Sequence, residues 1–202
     1  MMNKERITEC LVALDNADTS SKALLTEAIA TIKTGNSVKS MVTALNNQIQ
    51  EVAEELHSPK SFVNRAKRMV ALAGVIVDTN LFVIPDRLKL YNIEKAVNLM
   101  KHLQDKNETT KIKTVKNKLN KVKFKDDGSM FPKAKIKVYN DDYEMVLKEL
   151  YKEFKLAQTD EGAIIELKAS QVISNLSKFS QEELKAIIEA SQALLSPTTD
   201  EE

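Results

Sequence analysis

Apolar residues along this chain recur mostly at intervals of three and four. Ile7, Cys10, Leu11 and Leu14 predict a short first helix. Leu24, Leu25, Ala28, Ile29 and Ile32 predict a second, after Thr19-Ser20-Ser21. It should stop at Thr34-Gly35-Asn36, because a glycine just past the last apolar position is the usual C-terminal signal. From Ser37 the positions Val38, Met41, Val42, Leu45, Ile49, Val52 and Leu56 keep a helical period for about 20 residues. Ser58-Pro59 then opens a new helix, Ser as N-cap and Pro at the first helical position, with Phe62, Val63, Ala66, Met69, Val70 and Ala73 inward. Residues 74–91 read two ways: the helix continues through Val77, or a short strand precedes Pro85. Ile93, Ala96, Val97 and Met100 predict a helix over 92–103, and Ile112, Val115, Leu119 and Val122 another over 110–120.

The period then drops to two. Lys121, Lys123 and Lys125 alternate with Val122 and Phe124, and Lys133, Lys135 and Lys137 alternate with Ala134, Ile136 and Val138. Alternation places the lysines of a strand on one face and its apolar groups on the other. With the turn residues of DDGSMFP between them, the two runs predict a β-hairpin with one face of six lysines. Asp141-Asp142 should open a helix carrying Tyr143, Val146, Leu147, Leu150 and Phe154, its acids set against the helix dipole. A further helix is expected over 161–176, and the capping box Ser180-Gln-Glu-Glu183 begins a last one. The fold class is therefore mainly α, with one lysine-rich hairpin. The expected organisation is a helical unit over 1–80, a basic region over 81–140 and acidic helices over 141–202.

Composition narrows the function. At 202 residues and 43% hydrophobic the chain can bury a real core, and no apolar run approaches the ~20 residues that span a bilayer. MMNKERITEC lacks the apolar core of a signal peptide, and a single cysteine, Cys10, excludes a disulfide framework; both suit a reducing cytoplasm. The basic residues are 26 Lys against 4 Arg, a bias of AT-rich genomes such as those of low-GC bacteria and their phages.

Charge changes the picture more. The net +1 hides −3 over residues 1–57, +12 over 58–138 (19 basic, 7 acidic) and −8 over 139–202. A basic working surface flanked by acidic segments points to a polyanionic partner. Six ammonium groups held on one face repel one another, and phosphates would offset that by releasing condensed counterions. The alternative role for such lysines is to block edge-to-edge strand pairing.

Two stretches resemble known DNA-binding motifs. The order helix 92–103, turn, lysine-rich helix, hairpin resembles a winged helix over about 50 residues. That resemblance implies a groove helix presenting Lys111, Lys113, Lys116, Asn117 and Lys118, and a wing presenting Lys121, Lys123, Lys125, Lys133, Lys135 and Lys137. QEVAEELHSPKSFVNRAKRM, residues 50–69, resembles the helix-turn-helix of bacterial and phage repressors. Val52, Ala53, Leu56 and Val63 match its core, and His57 stands where glycine is usual. It implies a second helix exposing Lys60, Ser61, Asn64, Arg65 and Arg68, of which Asn can pair with adenine and Arg with guanine. Ser58 departs from the pattern, which has an apolar residue after the turn.

Signals for catalysis are thin, and the chain is expected not to be an enzyme. His57 and His102 have no second ligand at metal spacing, Cys10 sits at an apolar position and the four glycines form no phosphate loop, so neither a metal nor a cofactor is expected. Glu166-x-Lys168 resembles the end of a nuclease PD-(D/E)xK site, whose other acid would be Asp141 or Asp142. The expected function is DNA binding, regulatory or accessory to replication, transcription or packaging. The alternative is a non-catalytic assembly protein whose basic middle meets an acidic protein surface. The acidic C-terminal helices could hold a protein partner, and a homodimer and a monomer fit the helical stripes equally. RNA is the weaker target, because 5% aromatics is low for a base-stacking platform.

Overall fold

The structure, a computed structural model, describes residues 17–128 and 131–167, with 5, 8, 180–182, 184–186 and 188. The stripe from Ile7 to Leu14 and most of the last helix lie outside the described residues. Six long helices carry the described part: α1 Ala17–Lys33, α2 Val38–Glu55, α3 Lys60–Thr79, α4 Leu90–Asp105, α5 Thr109–Lys121 and α6 Pro132–Glu153. A two-stranded antiparallel sheet follows, β1 Leu156–Gln158 and β2 Ile164–Glu166. The protein is thus mainly α with one small hairpin.

Local signals set the helix ends. α1 stops where expected, the Gly35 amide closing on the Ile32 carbonyl at 3.2 Å. Ser37 caps α2 by accepting from the Ser40 amide at 3.4 Å. α2 ends at a left-handed His57 (φ 49°), with the Ser58 amide on the Ala53 carbonyl at 2.9 Å. Ser58 does not cap α3; Pro59 is the residue before the helix, and no side chain caps it. α3 continues through Val77 to a left-handed Asn80, which settles the open reading of 74–91 in favour of helix. Leu81–Ile84 then runs without regular structure into a turn at Pro85.

Packing follows the stripes. α3 lies against α1, α2 and α4; α4 lies against α5 and α6; the hairpin packs on α6 and α4. One cluster of buried side chains runs from Leu24 of α1 through Ile49, Met69, Ile93 and Leu119 to Leu156 of β1. Each fully buried Leu, Ile or Met contributes about 1.5–3 kcal/mol.

The lysine-rich hairpin is corrected. Residues 133–138 are the start of α6, with Pro132 at its first position, and residues 122–127 have no regular secondary structure and no partner strand. A six-residue alternation competes there with a longer helical stripe, in which Tyr139, Tyr143, Leu147 and Leu150 all bury against α4 and α5. For the same reason Asp141-Asp142 do not open a helix, and the 140/141 boundary falls inside α6. The observed hairpin lies over 156–166, where helix was expected from 161; residues 168–176 of that expected helix lie outside the described residues. Lys155 leaves α6 in a left-handed conformation (φ 53°), and left-handed Gly162 (φ 82°) closes the turn onto the Thr159 carbonyl at 2.9 Å.

Candidate nucleic-acid interface

The lysine-rich stretch forms an edge built from the end of α5, the irregular run after it and the first turns of α6. Asn120 anchors the end of α5: its Oδ1 accepts from the Phe82 amide at 2.8 Å and its Nδ2 donates to the Asn80 carbonyl at 3.3 Å. Beyond it Val122 and Phe124 turn inward, half-buried, while Lys121, Lys123 and Lys125 face solvent. The facing expected from alternation therefore holds without a partner strand. Phe124 meets the Tyr139 ring edge-on at 5.8 Å between centroids, and the Arg87 guanidinium lies over Phe124 at 5.3 Å. The run turns at left-handed Gly128 (φ 73°), whose amide donates to Asp126 Oδ1 at 3.2 Å.

Returning along α6, the chain brings Lys123, Lys125 and Lys135 to the walls of one groove of about 280 Å³, with Ala134, Val138, Tyr139 and Asp142. Lys133 and Lys137 are exposed on the same first turns. Three of the candidate lysines are engaged within the chain. Lys111 pairs with Glu108 at 3.0 Å and lies over the Phe154 ring, Lys118 pairs with Glu153 at 2.6 Å, and Lys135 pairs with Asp127. Lys113, Lys116, Lys121, Lys123, Lys125, Lys133 and Lys137 make no ion pair with another described residue. Asn117 is exposed beside them on α5. The Tyr139 hydroxyl beneath the groove is buried without a hydrogen-bond partner among the described residues, and burial pushes its pKa up.

The second candidate set sits on α3. Lys60, Ser61, Asn64 and Arg68 are exposed, and Arg65 is half-buried. Arg65 Nε donates to Ser21 Oγ of α1 at 2.7 Å, and Arg68 pairs with Glu94 of α4 at 3.0 Å. Both guanidiniums thus hold neighbouring helices. Ser61, Asn64, Arg65 and Arg68 line a cleft of about 360 Å³ between α3 and α4, separate from the lysine groove.

Comparison with protein families, curated proteins and solved structures finds no match. The chemistry of the residues therefore carries the reading.

A cleft of about 740 Å³ joins α3, α4, α6 and the hairpin, lined among others by Arg68, Tyr91, Lys95, Lys148, Tyr151, Lys152 and Gly162. Lys95 Nζ sits between the Tyr91 and Tyr151 rings, 5.5 and 5.3 Å from their centroids. Sequence reasoning missed it, since its residues come from four elements far apart in the chain. Exposed Tyr91 at a helix start was the one available signal. The Lys148 ammonium hydrogen-bonds the Glu144 carboxyl at its edge and holds it below the usual carboxylate range.

Among the described residues no group of three His, Cys, Asp or Glu side chains is placed to hold a metal ion. Glu166 lies on β2 and pairs with Lys106, whereas Asp142 lines the lysine groove. No described helix is long and apolar enough to cross a membrane.

Proposed function

We propose that this protein binds nucleic acid, double-stranded DNA first, through the lysine edge of α5, residues 121–127 and the start of α6. The observation that carries the reading is the set of seven lysines without an ion-pair partner among the described residues, on a backbone anchored by Asn120 and Phe124. Ammonium groups meet phosphates as point charges, which gives affinity without sequence choice. Base reading would fall to Ser61, Asn64 and Arg68 of α3. Their use for it requires the Arg68–Glu94 pair to open. A regulatory or accessory role in replication, transcription or packaging fits a binder of this kind.

The test is fluorescence anisotropy with a labelled random-sequence duplex across a salt series. Binding should weaken steeply with salt. Gln at Lys121, Lys123, Lys125, Lys133 and Lys137 together should flatten the slope by about 0.9 per lost phosphate contact. Absence of binding at low salt overturns the reading and turns attention to an acidic protein surface as the partner.

A further inference from the structure

The outward face of α6 carries large apolar groups at seven-residue intervals. Phe131 just before the helix is 74% exposed, Val138 58% and Met145 55%. Ala134, also exposed, falls on the same stripe. The opposite face of the helix holds Tyr139, Tyr143, Leu147 and Leu150, all buried in the core. The exposed stripe is therefore surplus to the core formed by the described residues. At about 1.5 Å per residue it is roughly 20 Å long, and groups seven apart drift only ~20° around a straight helix, so they form one seam.

Charge along α6 is divided. Lys133, Lys135 and Lys137 occupy the first turns without an acid among them, and beyond them Asp141, Asp142, Glu144, Glu149 and Glu153 outnumber Lys148 and Lys152. A parallel copy would set lysines against lysines and acids against acids. An antiparallel copy sets each half against its opposite.

We propose that α6 is a self-association surface, pairing antiparallel with a second copy of this chain about a two-fold axis near Val138. Val138 then meets the partner's Val138, and Phe131 meets the partner's Met145. Lys135 faces the partner's Asp142, and Lys133 faces the partner's Glu144. A two-fold contact of this kind is self-complementary, so every favourable pair occurs twice. Flanking charge pairs choose orientation in paired helices in this way. Lys135 and Glu144 are half-buried, but their present partners Asp127 and Lys148 are exposed, so these pairs exchange at modest cost. One helix face is smaller than the ~800 Å² per partner of a standard interface, so the dimer should dissociate at micromolar rather than nanomolar concentration. The seam borders the lysine groove, which Ala134, Lys135, Val138 and Asp142 also line, so Lys133 would serve either the partner's Glu144 or a phosphate; association measured without DNA tests the dimer by itself.

Sedimentation velocity on the full chain, over two decades of concentration, tests it. The wild-type protein should pass from monomer to dimer across the series. Val138→Lys should remain monomeric at every concentration, with the melting temperature of the wild type at concentrations where the wild type is monomeric, because Val138 lies outside the core. Lys135→Glu and Asp142→Lys should each weaken association at least tenfold, and the double variant, which restores opposite charges, should return to within about threefold of wild type. A wild-type protein that stays monomeric overturns the proposal. So does a dimer that survives Val138→Lys, or a double variant no better than the singles.

Discussion

Asn92 of α4 donates from its side chain to the main-chain carbonyl of Asn140 at 3.2 Å, at a point where both residues are sealed from solvent. Asn140 itself spends every polar atom of its amide. Its Oδ1 accepts from the Lys89 amide at 2.6 Å, and its Nδ2 donates to the Arg87 and Ile136 carbonyls at 2.9 and 2.7 Å. One side chain in the middle of α6 thus satisfies the backbone that leads into α4. That explains a polar residue at the centre of an otherwise apolar face.

The two asparagines should differ in cost. Asn140→Ala takes the partner from the part-buried Lys89 amide and Arg87 carbonyl, each worth about 1 kcal/mol or more, and should lower stability by about 2 kcal/mol. Asn92→Ala should cost roughly half as much, because Asn92 Oδ1 already lacks a partner among the described residues. Urea unfolding of the two variants checks the order; equal losses would show that packing, not the bond network, sets the cost.

Gly74 lies inside α3, where alanine would ordinarily add about 1 kcal/mol of helix propensity. Here a Cβ would stand 2.8 Å from Val42 Cγ2 of α2. Overpacking of that kind costs about 1–3 kcal/mol, so Gly74→Ala should destabilise on balance. A raised melting temperature would mean that α2 moves aside freely.

The long stripes of α2, α3 and α4 were legible because each repeats over several turns and buries against more than one neighbour. Residues 133–138 were misread because six residues of alternation also fit a helix, and Asn140 interrupts the apolar stripe that would have revealed it. Ile164–Glu166 was misread for the opposite reason: strands of three residues are too short to show any period, and only Gly162 marks the turn. At the candidate interface the outward direction of Lys121, Lys123 and Lys125 could be read from Val122 and Phe124 between them. The partners of Arg65 and Arg68 could not, since Ser21 and Glu94 approach only through tertiary packing.

Three buried phenols give the fold an alkaline limit. Burial pushes Tyr139, Tyr143 and Tyr151 above the ordinary value of 10.0, with the neighbouring Tyr139 adding to the shift at Tyr143 and Tyr91 to that at Tyr151. Above pH 10 the unfolded chain releases these protons while the folded chain keeps them, so stability falls as pH rises; below pH 10 they contribute no pH dependence. Each phenol still protonated in the fold should take about 1.4 kcal/mol per pH unit. Urea midpoints between pH 8 and 11.5 measure the slope. Tyr143→Phe, which removes a hydroxyl without a hydrogen-bond partner among the described residues, should change little at pH 8 and flatten the alkaline slope by one group's share. An unchanged slope would sink the assignment.

Phe124 separates the placing of charge from the charge itself. Wedged between the Arg87 guanidinium and the Tyr139 ring, it fixes a run whose lysines alternate outward on either side of it. Phe124→Ala removes no charge but frees that run, so binding must order it again, a cost of about 1–1.4 kcal/mol. Affinity for a random duplex should fall about five- to tenfold at every salt concentration. The salt slope should stay as in the wild type, because the same phosphates are neutralised once the complex forms. The lysine-to-glutamine variant should show the converse, a flatter slope. Were Phe124→Ala to flatten the slope as well, the lysines of the run would be losing their phosphates outright, and the anchoring of that run would decide how many contacts form.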